Sequence, residues 1–194
     1  MSAFVLGSGS ASRRAILENV GLEFEIDPAR VDEDALKRVY QGKADGLALH
    51  LAEAKALEVA NRRSEFVLGA DQVLVFEGRT YDKARSVEEA ADRLRMLRGK
   101  THWLRGGVVL ARAGEVVWSY ESVCEMTIRD FSDAFLASYL ENAGSILTKG
   151  VGAYAFEGLG AQLFERVEGD YYAVLGLPLL PVLNALREQG AIAR

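Results

Sequence analysis

A strand, a loop of small residues and a helix follow one another within the first twenty residues, and this order constrains the fold more than any other stretch. The apolar run at residues 3–6 predicts the strand, and residues 15–20 predict the helix. The stretch between them reads Gly7-Ser8-Gly9-Ser10-Ala11-Ser12-Arg13-Arg14. Its backbone N–H groups, the helix dipole and the two arginines favour a negatively charged ligand. We predict an anion site with phosphate as the expected ligand; the alternative is a loop that only turns the chain.

The loop matches none of the common phosphate or nucleophile fingerprints. The P-loop pattern needs a lysine that does not follow here, and the dinucleotide pattern needs a third glycine where Ser12 stands. A nucleophile elbow is also absent, because Gly7 and Gly9 flank Ser8 directly. The loop therefore predicts anion binding without naming a cofactor.

The length and net charge of the chain limit its number of domains and its kinds of partner. With 194 residues, 49% of them hydrophobic, the chain is expected to form a single domain over residues 1–194. Its formal net charge is −5 and no Lys/Arg run exceeds two residues, which predicts no nucleic-acid partner. An anionic ligand would be repelled by the whole protein, so a local cationic cluster is needed to hold it. The lack of a signal-like or membrane-length apolar stretch predicts a cytoplasmic protein without a membrane partner.

Two charged positions lie on predicted helices. Residues 44–62 give the strongest helical pattern, and Lys55 falls beside its apolar face, where a lysine usually covers apolar surface with its stem. The acids Asp32, Glu33 and Asp34 stand just before another helical pattern. Their spacing alone favours acids that complement a helix dipole over a functional cluster.

Asp71 lies inside an unusually apolar stretch. Residues 65–76 predict a strand, a polar break around Gly69 and Asp71, and a second strand. Because an unpaired buried carboxylate is costly, we expect Asp71 to face a cleft or a cation; the alternative is a structural aspartate at a bulge. Lys83 follows on a strand-to-helix connection, before a helix that Ser86 caps, and is either functional or solvated.

The second half of the chain predicts a β-hairpin and a ligand loop. Residues 101–129 form two alternating runs joined by Ala113-Gly114, which indicates the hairpin. We interpret four residues within it as sheet or core residues, namely His102, Trp103, Trp118 and Cys124. A helix capped by Ser132 follows. The glycine-rich segment 149–160 then carries Glu157 amid aromatic residues and suits a planar ring with hydrogen-bonding edges.

Together these landmarks resemble the Maf family of nucleoside triphosphate pyrophosphatases over essentially the whole chain. The matching motifs are Ser8-x-Ser10-x-x-Arg13, Val31-Asp32-Glu33, Leu51-Ala52-x-x-Lys55-Ala56, Gly69-Ala70-Asp71, Lys83, Gly99-x-x-His102, Gly152-Ala153-Tyr154, Glu157-Gly158 and Val174-x-Gly176-Leu177-Pro178. Each motif is weak alone, and the match lies in their order and spacing. The resemblance implies a Maf/ITPase-like α/β fold: a long mixed sheet flanked by helices, with a nucleotide cleft between two lobes. It also implies a homodimer.

The same resemblance assigns roles to individual residues. The family splits the α–β phosphoanhydride of a nucleoside triphosphate with a divalent metal, here Mg²⁺ or Mn²⁺, and releases a monophosphate and pyrophosphate. Asp71 is then the catalytic proton acceptor, and Glu33 with Asp71 holds the metal. The implied substrate-binding residues are Ser8, Ser10, Arg13, Arg14, Lys55 and Lys83.

Three positions bear on base specificity. Gln72 and Glu157 are similar to the branch of the family that acts on 7-methyl-GTP, which makes a modified nucleotide and a house-cleaning role the expected function. A carboxylate at Glu157 can accept two parallel donors from a guanine edge, whereas a uracil edge offers one. Ser12 stands where that branch usually has Trp and the pyrimidine branch usually has Arg, so Ser12 matches neither and leaves the base open.

Two other functions remain alternatives at this stage. The first is a non-catalytic nucleotide-binding regulator of cell division, which would keep the phosphate loop without needing Asp71. The second is a phosphatase that removes a terminal phosphate, which product identification distinguishes from a pyrophosphatase.

Overall fold

Residues 4–193, the part of the chain that the computed structural model describes, contain both strands and helices along their whole length. The strands there are β1 (Phe4–Leu6), β2 (Glu25–Ile26), β3 (Phe66–Phe76), β4 (Arg79–Tyr81), β5 (Thr101–Arg112), β6 (Glu115–Ile128) and β7 (Phe164–Glu168). The helices there are α1 (Ala11–Asn19), α2 (Glu33–Val39), α3 (Leu47–Ala60), α4 (Val87–Leu97), α5 (Asp133–Ala143), α6 (Ile146–Lys149), α7 (Tyr171–Val174) and α8 (Leu179–Glu188). Within this range no helix is long and apolar enough to cross a membrane.

The strands form one mixed sheet in the order β2-β1-β3-β5-β6-β7, with β4 paired to β3. β1 runs parallel to both neighbours, and its central Val5 is in register with Glu25 of β2 and Val67 of β3. The β3–β4 and β6–β7 pairs are antiparallel. This arrangement confirms the predicted α/β fold with a mixed sheet flanked by helices.

The chain divides into two compact units. Unit 1 comprises the chain up to Gln72, Arg105–Ser122 and the chain from Asp170 onwards, and unit 2 comprises Val73–Leu104 and Val123–Gly169. The single domain over residues 1–194 and the cleft between two lobes both stay predictions.

Unit 1 has an apolar layer on each side of β1. Phe4 and Leu6 pack in one layer with residues of α1 and α8, including Leu17 and Leu186. Val5 points to the opposite layer, which contains alanines and Val59 of α3. Successive strand residues face opposite sides of the sheet, so the fully apolar β1 is buried on both of its faces.

Two glycines let α3 lie close to the sheet. A Cβ on Gly107 of β5 would stand 2.4 Å from the Cα and N atoms of Leu49, and one on Gly69 of β3 would stand 2.6 Å from the carbonyl oxygen of Ala52. Such approaches are possible only without a side chain. They set the depth at which α3, and therefore Lys55, lies against β3.

One sequence interpretation of β3 is wrong, and two helices were not predicted. Residues 66–76 form a single continuous strand, without the expected break around Asp71. The strand continues because Lys55 pairs with that carboxylate, so no bulge is needed to expose it. Helices α6 and α7 contain four residues each, too few for a periodic pattern.

Other local predictions are confirmed. Ser86 and Ser132 accept hydrogen bonds from the backbone N–H groups three residues ahead and cap α4 and α5. The hairpin of β5 and β6 turns at Ala113 and Gly114, both with positive φ angles of 51° and 79°. His102 and Cys124 are buried strand residues, and Trp103 and Trp118 lie within the same two strands.

His102 is buried and hydrogen-bonded in unit 2, and its burial makes the free energy of unfolding depend on pH. Its Nε2 lies 2.6 Å from the hydroxyl oxygen of Tyr154, and both residues also contact the ring of Phe164. Burial lowers the pKa of His102 from 6.5 to about 4 and raises the pKa of Tyr154. Both side chains are therefore neutral at pH 7.

We expect the free energy of unfolding to fall as the solution is acidified. The unfolded chain takes up a proton on His102 near pH 6.5, whereas the folded protein does so only near pH 4. The stabilisation is therefore complete above the unfolded pKa and is lost as pH falls towards the folded one, with about 2 kcal/mol lost between about pH 7 and about pH 5. Urea unfolding of wild type and His102→Gln over this range measures the effect. Parallel curves for the two proteins would contradict the assignment to His102.

Candidate active site

The loop between β1 and α1 is built by its own serines and by β3. The N–H of Gly7 donates to the carbonyl of Leu68 at 2.9 Å, and Ser10 caps α1 by accepting from the N–H of Arg13 at 3.4 Å. The helix therefore begins at Ala11, and Arg13 lies within its first turn. The Ser8 oxygen accepts from the Ser10 N–H at 3.3 Å.

Arg13 is buried behind this loop and fixed by three acceptors. Its Nη1 donates to the Ser8 hydroxyl at 3.0 Å and to the Ala70 carbonyl at 2.8 Å, and its Nε donates to the Gly176 carbonyl at 2.9 Å. Burial lowers the pKa of Arg13 from 12.5, while the negative charges of Asp71 and Glu33 act in the opposite direction. Within the described part of the chain nothing accepts a hydrogen bond from Nη2, which leaves two donors for an anion.

Lys55 lies between two carboxylates, and we call Glu33, Lys55 and Asp71 the ion triad. The Lys55 ammonium is 2.5 Å from Asp71 Oδ1 and 2.8 Å from Glu33 Oε1. Lys55 and Asp71 are each 9% exposed, whereas Glu33 is half-buried at the start of α2. The triad thus joins α2, α3 and β3. Removing Lys55 would leave two carboxylates without their shared counter-ion, whereas removing either carboxylate leaves Lys55 paired with the other.

The formal charges around the loop balance. Arg13 and Lys55 carry two positive charges, and Glu33 and Asp71 carry two negative ones. Two members of the expected cationic cluster, Arg13 and Lys55, are therefore neutralised by acids within unit 1, while its third member, Lys83, belongs to unit 2. A triphosphate needs additional positive charge there.

The two triad carboxylates suit a hard divalent cation. Both offer oxygen ligands that lie close together, because each contacts the Lys55 ammonium, which itself occupies the position between them. Across residues 4–193 no group of three or more His, Cys, Asp or Glu residues forms a complete metal cage. Mg²⁺ characteristically binds through one or two carboxylates together with substrate phosphates and water. The donor set therefore fits a cation that Glu33 and Asp71 would share with a bound nucleotide.

The predicted specificity residues lie in different surroundings. Ser12 is exposed on the first turn of α1, and its hydroxyl is 2.9 Å from that of Ser10. Gln72 directly follows Asp71, and its Nε2 donates to the Ala173 carbonyl of α7 at 2.8 Å. Glu157 is exposed in unit 2, on the segment that precedes the 3₁₀ turn Leu159–Leu163.

Most of the predicted substrate-binding residues of unit 1 meet, and Arg14 does not join them. Ser8, Ser10 and Arg13 are linked by hydrogen bonds, and Arg13 also bonds the carbonyl next to Asp71. Arg14 instead pairs with Glu18 at 2.7 Å, with 55% of its side chain exposed. Lys83 is exposed on the β4–α4 connection of unit 2. The roles of these residues, like those of all the other predicted site residues, stay predictions.

Sequence reasoning missed two backbone acceptors. The carbonyls of Ala173 and Gly176 hold Gln72 and Arg13, although their motif had no assigned role. Gly176 has φ 102°, a conformation that favours glycine, and a Cβ there would come within 3.7 Å of Arg13 Nε. A glycine just before the proline that starts α8 was the available signal.

Comparisons of sequence and structure find proteins similar to this chain. A family model described as "Maf-like protein" matches residues 3–189. A protein of Maricaulis maris named nucleoside triphosphate pyrophosphatase is 49% identical over 99% of both chains. A Rhizobium meliloti protein named 7-methyl-GTP pyrophosphatase is 47% identical over 97% of this chain and 96% of its own. Among solved structures, a HAM1 protein from Coxiella burnetii matches 68% of this chain and 75% of its own, with 15% identity and a TM-score of 0.43.

Proposed function

Because the chain belongs to the Maf-like protein family, we propose that it is a nucleoside triphosphate pyrophosphatase. It hydrolyses the α–β phosphoanhydride and releases a nucleoside monophosphate and pyrophosphate. The observation that carries this proposal is the ion triad beside Arg13, which combines a general base, a cation and a metal-binding carboxylate next to an anion-binding loop. The relatives named pyrophosphatases support it.

In the proposed reaction Asp71 accepts a proton from water. The water oxygen bonds to one phosphorus of the anhydride, the bridging P–O bond breaks, and the leaving phosphate takes that electron pair. Lys55 orients the Asp71 carboxylate through their 2.5 Å contact, and it also stands where it can face a phosphate. Arg13 and the Ser8 hydroxyl donate to phosphate oxygens, because Ser8 uses only its oxygen in the protein's own hydrogen bonds.

We propose that Glu33 and Asp71 hold Mg²⁺ or Mn²⁺ when nucleotide binds. The cation would supply the positive charge that the balanced cluster lacks and would stabilise charge on the phosphate oxygens. Support comes from the charge count and from the convergence of the two carboxylates on Lys55.

Glu33→Gln is expected to weaken Mn²⁺ binding in the presence of a non-hydrolysable nucleotide by at least about tenfold. The amide keeps the size of the side chain but removes one of two charged ligands. Isothermal titration measures the affinity. Asp34→Asn on the same helix is the control, since it removes the same charge outside the triad. Equal affinities for the two variants would remove Glu33 from the site.

For the substrate we propose a purine nucleoside triphosphate, with 7-methyl-GTP or another modified nucleotide as the expected class. Support comes from Glu157, whose carboxylate can pair with two donors of a guanine edge, and from the relative named 7-methyl-GTP pyrophosphatase. A panel of canonical and modified triphosphates with product analysis tests the proposal. Monophosphate with pyrophosphate is the expected product pair, whereas diphosphate with phosphate would indicate a terminal phosphatase. Lack of hydrolysis across the panel with both metals would contradict the function.

We also propose that the protein is cytoplasmic and acts as a homodimer, of which the family resemblance implies the dimer. Light scattering coupled to size exclusion tests the dimer, with a mass of about twice the chain's 21.2 kDa expected. A monomer at micromolar concentration would contradict it.

A further inference from the structure

Arg93 is a buried arginine in α4 to which the proposed reaction gives no role. It lies in unit 2 and is 7% exposed. Packing a helix against its neighbours does not require a guanidinium, and a leucine or methionine would serve at lower cost in desolvation. The presence of a charged side chain here is therefore explained by the hydrogen bonds that its guanidinium donates.

The guanidinium joins two irregular segments of unit 2. Nη1 donates both to the carbonyl of Asp82 and, at 2.7 Å, to the carbonyl of Val151. Nη2 pairs with Glu89 one turn earlier on α4 at 3.1 Å, and the guanidinium carbon lies 5.6 Å from the ring centroid of Tyr81. Glu89 thus holds the Nη2 side of the guanidinium, while Nη1 bonds the two carbonyls.

Both segments carry a residue assigned to nucleotide recognition. Asp82 directly precedes Lys83 on the β4–α4 connection. Val151 is the third residue of the glycine-rich segment 149–160, which contains Glu157. Neither segment is part of a helix or strand at these carbonyls, so no regular hydrogen-bond pattern fixes them. The glycine-rich segment has a second anchor in Tyr139, whose hydroxyl donates to the Ala153 carbonyl at 3.1 Å.

We propose that Arg93 is a positioning residue that fixes the Lys83 connection relative to the glycine-rich segment and so couples phosphate recognition to base recognition. This role rests on the proposed function for Lys83 and Glu157. One nitrogen bonded to both carbonyls holds both segments to α4 at once, so loosening one also loosens the other.

The first test is hydrogen–deuterium exchange on the nucleotide-free protein. Arg93→Met keeps an unbranched side chain without donors, and Arg93→Lys retains donors that can reach a carbonyl. We expect exchange in residues 79–86 and 150–160 to rise together by about tenfold in Arg93→Met and to return partly towards wild type in Arg93→Lys. Glu89→Gln is the matched control, because it removes the ion pair and leaves both carbonyl bonds. Unchanged exchange, or a rise in only one segment, would overturn the proposal. If Arg93→Met does not fold, Arg93→Lys against wild type decides the same question.

The second test is a double-mutant cycle on KM. In the wild-type background, Lys83→Ala with Glu157→Gln is expected to raise KM less than the product of the single effects, by about fivefold or more. In the Arg93→Met background the two effects should multiply within about twofold, and in Arg93→Lys the coupling should lie between the Arg93→Met and wild-type values. A coupling of the same size in the wild-type and Arg93→Met backgrounds would refute the role of Arg93. A loss of stability alone would not change the size of this coupling. An inactive wild type would contradict the proposed function instead, and the exchange result would still decide whether Arg93 holds both segments.

Discussion

Asp71→Asn is expected to lower kcat by about 10²- to 10⁴-fold while the protein stays folded and still binds nucleotide. The amide has the size of the carboxylate, and its oxygen can still face the Lys55 ammonium, which lies 2.5 Å from Asp71 in the wild type. It cannot accept a proton from water. The change therefore removes the proposed base and leaves Arg13 and Ser8, the proposed phosphate-binding residues, in place.

Pyrophosphate release under saturating nucleotide and metal measures this loss, and titration with a non-hydrolysable nucleotide measures binding. Asp45→Asn is the control, since Asp45 is an exposed aspartate of unit 1 that pairs with Arg105 at 3.3 Å, outside the triad. A kcat above about one tenth of wild type would mean that Asp71 is not the proton acceptor. The variant also addresses regulation of cell division: a cellular role that survives without turnover would favour nucleotide binding as the function.

Gly107→Ala is expected to lower the free energy of unfolding by about 3 kcal/mol. The new Cβ would meet the Leu49 Cα and N atoms at 2.4 Å and the Ala48 carbonyl carbon at 2.6 Å. These are backbone atoms, so no rotamer change relieves the clash and α3 has to move away from β5. Because α3 carries Lys55, the same movement should also lower activity.

Urea unfolding followed by circular dichroism measures the loss, with Gly158→Ala as the matched control. A Cβ on Gly158 would lie no closer than 4.0 Å to a neighbouring atom, the carbonyl oxygen of Ala155, and its φ of −132° lies outside the left-handed region. Equal unfolding midpoints for the two variants would show that α3 adjusts freely, contrary to the close packing described above.

Local patterns were sufficient to predict most of the fold. The β1–α1 unit, the capped helices α4 and α5 and the β5–β6 hairpin each depend on residues that are neighbours in sequence. The continuity of β3 was missed because it depends on a partner from another element. Lys55 stabilises Asp71 from α3, and no local signal distinguishes a paired buried aspartate from one that breaks a strand.

The candidate site was predictable in its residue types and less so in their arrangement. Motifs pointed to both Arg13 and Arg14, yet consecutive helical residues project in directions about 100° apart, and only Arg13 is buried. The balancing of Lys55 by two acids was also not evident, because the spacing of Glu33 favoured an acid at a helix start over a functional cluster. Backbone acceptors such as the Gly176 carbonyl cannot be identified from residue types, because every residue has a carbonyl group.

The bond between Arg13 and Gly176 spans 163 positions of the sequence. Translation makes Arg13 long before residue 176, so a nascent chain that does not yet contain Gly176 holds the arginine without this acceptor. Fixing the Arg13 guanidinium is therefore a late step in the folding of unit 1, and it depends on residues far along the chain.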